Sequence, residues 1–171
     1  FYALKLFGDI VKAYPTICAS TSEGTYTTLA VRDAAGKKAL LVVDYGGTEH
    51  ELEVAVASAE MEVRDVSAEE VELSSASGKI NFSLGGMRSL SVDTASGGVV
   101  ANVTDAGKCE FESASGALDL RLRNVSECSF DTASGRVDLD VSGTIEEIEG
   151  DTASGRINLT CGTTPDRCEL E

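Results

Sequence analysis

The chain has 171 residues, with 29 Asp and Glu against 14 Lys and Arg, and a formal net charge of −15. The acid is spread evenly, with 13 acidic and 6 basic residues up to Leu73 and 16 and 8 after it. A uniformly acidic surface repels phosphate backbones and anionic lipid, which argues against nucleic-acid binding and electrostatic membrane binding.

The apolar fraction of 42% is enough for a core, and the length suits one domain. No apolar run approaches the ~18 residues of a membrane span. The chain opens on Phe1 rather than Met. A trimmed or mature fragment is therefore expected, and any removed leader or anchor leaves no trace in it. Residues 1–14 carry Leu4, Phe7 and Val11 at helical spacing, which predicts a short N-terminal capping helix. Residues 16–56 read as irregular strands, notably Ala39 to Tyr45 and Glu51 to Val56, and are expected to form the first, non-ideal coils of a repeat array. The single histidine, His50, sits in the polar stretch Thr48-Glu49-His50-Glu51 and reads as a solvated residue. With one His and no Trp, multi-histidine metal sites and most histidine-dependent catalysis are excluded by count.

From residue 57 onward an internal repeat dominates. Ala-Ser-Gly recurs as Ala76-Ser77-Gly78, Ala95-Ser96-Gly97, Ala114-Ser115-Gly116, Ala133-Ser134-Gly135 and Ala153-Ser154-Gly155. The glycines therefore fall at steps of nineteen, nineteen, nineteen and twenty. Ala57-Ser58-Ala59 is a degenerate copy upstream. After each Gly the chain alternates apolar and polar, as in Ile80/Phe82/Leu84 and Leu118/Leu120/Leu122, which is the period of a half-buried strand. A shorter alternation precedes each tripeptide, as in Leu90/Val92 and Cys128/Phe130, so each repeat reads as two short strands and two corners. A unit this small cannot bury its own apolar face, whereas stacked units can. The expected fold is a single all-β domain over residues 1–171, a parallel β-solenoid of 19–20-residue coils stacked about 4.8 Å apart, regular over 57–171. An antiparallel meander is the alternative. It needs turn chemistry at both junctions, and only the Ala-Ser-Gly junction is constant; the other runs Gly85-Gly86, Asp105-Ala106-Gly107, Arg123-Asn124 and Ser142-Gly143-Thr144.

At the constant corner the inward phase of Val71 and Leu73 must slip by one residue to reach Gly78 and Ile80, which marks a bend where Gly supplies backbone freedom. The hydroxyls of Ser75, Thr94, Ser113, Thr132 and Thr152 are placed to satisfy corner amides or to bond neighbouring coils. The last segment, Gly162 to Glu171, is polar and ends in acid, as suits a C-terminal edge.

The cysteines fall on the same grid. Cys109 and Cys128 share an inward column that Ile148 and Cys168 continue, and Cys161 aligns with Val141. They read either as small buried apolar residues or as disulfides, with Cys109–Cys128 and Cys161–Cys168 as the candidate pairs. Zinc does not fit a narrow, filled coil. One surface feature carries possible chemistry: the column Asp93, Glu112, Asp131 and Asp151. It either holds Ca²⁺ or forms a solvated rim partly neutralised by Arg136 and Arg156. Asp119 and Asp138 make a second acidic pair with the same two readings. The Thr-Ala-Ser rows invite comparison with ice-binding solenoids, but the bend and the flanking acids argue against a flat hydroxyl plane. A lyase would need a cleft with clustered carboxylates and a base, which a coil filled with Ile, Val, Leu, Phe and Cys does not supply.

The recurring (Asp/Ser)-(Thr/Ser)-Ala-Ser-Gly followed by alternating apolar residues resembles the bacterial adhesin-like β-strand-repeat family, a domain of unknown function related to autotransporter-like head domains. The resemblance covers 57–171 closely and 16–56 loosely. It implies a non-enzymatic, extracytoplasmic β-solenoid of the cell envelope, without cofactor or catalytic residues. Such a module would bind or display itself to a protein or glycan surface. The alternative is a structural or regulatory envelope domain contacting other parts of its parent protein, with a carbohydrate-active enzyme as a third reading.

Overall fold

The computed structural model describes residues 16–23, 26–32, 38–44, 51–56, 60–64 and 68–171. In chain order the strands are β1 (Thr16–Glu23), β2 (Tyr26–Arg32), β3 (Lys38–Asp44), β4 (Glu51–Val56), β5 (Met61–Arg64), β6 (Glu70–Ser75), β7 (Ile80–Thr94), β8 (Val99–Ser113), β9 (Leu118–Thr132), β10 (Arg136–Ser142), β11 (Glu147–Thr152), β12 (Arg156–Cys161) and β13 (Arg167–Leu170). Among the described residues no helix is long and apolar enough to cross a membrane. The predicted helix over 1–14, the copy at 57–59 and His50 lie outside the described residues.

The repeat folds as a parallel β-solenoid. On one face the ladder runs Met61, Ile80, Val99, Leu118, Val137, Ile157, each residue in register with the next, giving about six turns. On the other it runs Leu52, Val71, Leu90, Cys109, Cys128, Ile148, Cys168. Every pairing in the solenoid is parallel, which excludes the meander. Inward positions such as Leu73, Ile80, Phe111, Leu120 and Ile148 are buried, and the residues between them are half-buried or exposed. Each such side chain contributes roughly 1.5–3 kcal/mol by leaving water. Because a coil touches only its neighbours, that burial exists only when coils stack.

The second corner is smoother than predicted. β7, β8 and β9 each run 15 residues without a break through both faces. Gly86, Asp105, Asn124 and Gly143, one repeat apart from each other, take the bend with φ of 75°, 55°, 53° and 75°. This junction is variable in sequence but constant in conformation: Gly, Asp and Asn are the residues that enter the left-handed region at least cost. The continuous strand splits into β10 and β11 where the repeat lengthens by one. Arg123 pairs with Ser142, a step of nineteen, whereas Glu127 pairs with Glu147, a step of twenty. The extra residue therefore enters just after Gly143.

The N-terminal strands depart from expectation. Only β4 and β5 join the parallel stack. β1, β2 and β3 form an antiparallel three-stranded sheet and not the first coils. Glu23 pairs with Tyr26, so only Gly24 and Thr25 separate β1 from β2. So short a connection permits antiparallel pairing only, since a parallel one needs a crossover of about a dozen residues. Cys18 falls at a register shift between Ile17 and Ala19.

The last coil is half-covered. Among the described residues β12 pairs only with β10 and β13 only with β11. Ile157, Leu159 and Cys161 are half-buried, and Leu170 is 40% exposed. The polar segment Gly162 to Glu171, expected at the C-terminal edge, supplies the edge strand β13.

Candidate functional site

The Ala-Ser-Gly corner is where the sequence is most constrained, and four interactions explain it. First, the residue before the tripeptide points inward, and its hydroxyl oxygen accepts the amide of the Gly at the end of the tripeptide. Gly78 N–H donates to Ser75 Oγ at 2.8 Å, Gly97 to Thr94 at 2.9 Å, Gly116 to Ser113 at 2.8 Å and Gly155 to Thr152 at 2.8 Å. The hydroxyls thus satisfy corner amides at four of five corners; Thr132 Oγ1 is buried without a partner. Second, the serine of the tripeptide reaches back one coil. Ser96 Oγ donates to the Ala76 carbonyl at 3.1 Å, Ser115 to Ala95 at 3.2 Å, Ser134 to Ala114 at 3.4 Å and Ser154 to Ala133 at 3.1 Å. Third, the glycines stack. A Cβ on Gly97, Gly116, Gly135 or Gly155 would overlap the carbonyl oxygen of the Gly one coil below. None of these four has a left-handed φ. Close approach of backbones, and not the predicted torsional freedom, is what excludes a side chain. Fourth, the ladder passes unbroken through the bend, with Ala114 N–H bonded to the Thr94 carbonyl at 3.0 Å and Ala133 N–H to Ser113 at 3.1 Å.

The corner carries the acidic column outward. Asp93 pairs in register with Glu112, Glu112 with Asp131 and Asp131 with Asp151. Asp93, Glu112 and Asp131, together with the exposed alanines Ala95, Ala114 and Ala133, line an open groove of about 690 Å³. The Asp93 charge, then partial desolvation, then a hydrogen bond shared with Asp93, and finally the charges of Glu110 and Asp131, raise the Glu112 carboxyl above its ordinary pKa. The expected neutralisation by arginine is absent. Arg136 pairs with Asp138 at 2.6 Å, and among the described residues no Lys or Arg forms an ion pair with Asp93, Glu112, Asp131 or Asp151. Side chains stacked along a ladder point the same way, and the Asp93 and Glu112 carboxyls share a hydrogen bond. Among the described residues no three His, Cys, Asp or Glu are placed to hold a metal ion.

The second acidic pair is countered. Asp119 and Asp138 are in register. Arg121 lies 3.6 Å from Asp119, Arg136 2.6 Å from Asp138, and Asn158 Nδ2 donates to Asp138 at 2.7 Å. A polar ladder that sequence reasoning does not anticipate follows the left-handed column. There Asn124 Nδ2 donates to Asp105 Oδ1 at 2.8 Å, and Asn124 Oδ1 accepts the Thr144 amide at 3.3 Å. Its only signal in the sequence is the recurrence of Gly, Asp and Asn at one point of each repeat.

Cys109 and Cys128 face each other in register, 0% and 1% exposed, as free thiols. Burial pushes the Cys109 thiol up to about 12, and burial with the neighbouring Cys109 raises Cys128 further. They act as apolar core. Cys161 and Cys168 are also free, half-buried and exposed in turn, on the open last coil.

Parallel in-register coils, a filled interior and repeated hydroxyl-capped corners define a β-solenoid repeat domain. The chain belongs to the Toastrack DUF4097 family, whose model matches residues 22–167. The family is one of unknown function. No curated protein and no solved structure matches the chain.

Proposed function

We propose that this chain is a non-enzymatic binding and display module of the bacterial cell envelope, contacting a protein or glycan surface through its outer columns. One observation carries the reading: the interior is filled by apolar side chains, the inner thiols and the corner hydroxyls, so the charged groups stand outside, in columns that follow the strand register. A ruled, rigid surface of this kind suits contact with a repetitive or extended partner. The uncountered carboxylates of Asp93, Glu112 and Asp131 beside a row of alanines supply its most distinctive strip. The resemblance of the repeat to adhesin-like domains supports the envelope placement.

The test uses the purified, labelled chain on arrayed glycans and on envelope fractions of the source organism. The variant Asp93→Asn/Glu112→Gln/Asp131→Asn serves as comparison. Saturable binding that the variant weakens at least tenfold is the expected result. Turnover of any glycan, read as new reducing ends, would contradict the non-enzymatic reading. Protease shaving of intact cells tests the placement, and a chain protected until lysis would contradict it.

A further inference from the structure

All four asparagines of the chain open the same tripeptide, Asn-x-Ser or Asn-x-Thr with x other than Pro. These are Asn81-Phe82-Ser83, Asn102-Val103-Thr104, Asn124-Val125-Ser126 and Asn158-Leu159-Thr160. Ser and Thr are 32 of the 171 residues, under one in five, so composition does not supply the pattern. Nor does strand alternation. Asp119 and Asp138 stand in the same outward column as Asn81 and Asn158, yet the residues two further on are Arg121 and Asp140. The tripeptide is the acceptor signature for a glycan on the asparagine nitrogen. We propose that Asn102 is an N-glycosylation site, its Nδ2 carrying a sugar on the outer face of β8.

The structure singles out Asn102 among the four. Asn81 Nδ2 donates to Glu60 Oε1 at 3.2 Å, Asn158 Nδ2 to Asp138 Oδ1 at 2.7 Å, and Asn124 Nδ2 to Asp105 Oδ1 at 2.8 Å. Each of those three has a structural task. The Asn102 carboxamide has no hydrogen-bond partner among the described residues. Asn is depleted in strands, and no contact within the fold accounts for this one. Ala101 and Val103 are buried, so alternation turns Asn102 and Thr104 together to the outer face, half-buried and exposed in turn. The coil below sets two small residues, Ser83 and Gly85, opposite them. The coil above sets Arg121 opposite Asn102, and its guanidinium lies 3.6 Å from Asp119. A first sugar on Nδ2 has room over Ser83.

The donor is a glycan joined through phosphate to a membrane lipid, and the catalyst is a transferase that reads the Thr104 hydroxyl. Nδ2 attacks C1 of the first sugar, the C1–O bond breaks, and the lipid phosphate leaves with the electron pair. The amide gives one proton to a base of the transferase, and nothing is oxidised or reduced. β8 is paired along both edges, by β7 and β9, so transfer precedes closure of the coils. The inference rests on the proposed placement outside the cytoplasm, where such a donor presents its glycan.

The test recovers the tagged chain from its source organism and digests it with trypsin, which leaves each asparagine on a peptide of its own. Tandem mass spectrometry of peptide 89–108 should find a sugar mass on Asn102. Asn102→Gln and Thr104→Ala should each lower the glycan-bearing form of that peptide at least tenfold, whereas Thr104→Ser should keep it. Thr104→Ala leaves Asn102 in place, so its loss of glycan reads recognition of the hydroxyl and not the presence of the acceptor. A bare Asn102 in a chain that protease shaving finds outside the cell would overturn the proposal and leave the placement standing. A bare Asn102 in a chain protected until lysis would overturn both. Sugar on the other three asparagines alone, or sugar on peptide 89–108 that survives Asn102→Gln, would also overturn the proposal.

Discussion

The Gly97 carbonyl oxygen occupies the space that a Cβ on Gly116 would need, one coil above it. The two lie a full repeat apart in the chain and belong to backbones that touch with no side chain between them. Both partners are main chain, so the overlap is relieved only by prising two coils apart. Gly116→Ala should therefore destabilise the chain by about 3 kcal/mol, at the upper end of overpacking costs. Gly98→Ala is the control: its Cβ would meet only the Ala117 carbonyl oxygen, at 3.6 Å, and should change stability by less than about 0.5 kcal/mol. Urea denaturation of the two variants checks the pair.

The hydroxyl caps predict opposite outcomes at equivalent positions. Ser113→Ala strips the buried Gly116 amide of its acceptor and should cost about 1–3 kcal/mol. Thr132 Oγ1 is buried with no partner, so Thr132→Val removes an unsatisfied hydroxyl at constant shape and should be neutral or stabilising. Thermal melting of both variants under one buffer decides it.

At the left-handed column, Asp105→Gly should be tolerated, whereas Asp105→Val should cost about 1–2 kcal/mol, because a β-branched residue resists φ near 55°. Denaturant midpoints measure the difference.

What is legible in the sequence is what repeats in it. The regular spacing of glycines, with period-two alternation between them, leads to the parallel stack and to the register of the inward columns, Cys109 beside Cys128 included. The other corner reads as irregular because Gly86, Asp105, Asn124 and Gly143 differ as letters; they agree only in tolerating a left-handed backbone. The β1–β3 sheet escapes a repeat-based reading because its strands carry no copy of the repeat, and Gly24 alone marks its first turn. The role of Gly in Ala-Ser-Gly differs from the expected one because contact between successive coils is invisible to local reasoning. The acidic column is legible, but its lack of an arginine partner among the described residues is not. Spacing along the chain points to Arg136, which turns to Asp138 instead.

The raised Glu112 carboxyl makes a pH prediction. A carboxyl whose folded pKa lies above its unfolded value binds protons more readily when folded, so stability from this group falls as pH rises through that window and is gained as pH drops. Glu112→Gln should stabilise the chain at pH 7 by about 0.2–1 kcal/mol, the scale of a like-charge pair across strands. The gain should vanish below the ordinary carboxylate range, where Glu112 is itself neutral. Melting curves of wild type and variant from pH 3 to 8 read this directly.

Calcium gives a separate test of the column. Among the described residues no three of its carboxylates are placed to hold an ion, so Ca²⁺ should shift Tm no more than Mg²⁺ at equal ionic strength. A selective rise with Ca²⁺ would show that the column closes on a cation.

The central claim is that coils one repeat long stack in parallel register. Glu53, Glu72, Ser91, Glu110, Ser129 and Glu149 form one outward column. Spin labels attached through non-cysteine chemistry at Glu149 and, in turn, at Ser91, Glu72 and Glu53 report its spacing by pulsed electron–electron resonance. Separations rising in equal steps of about 5 Å, near 14, 19 and 24 Å, are predicted from the strand spacing. Distances that fail to grow with coil number would contradict the stack.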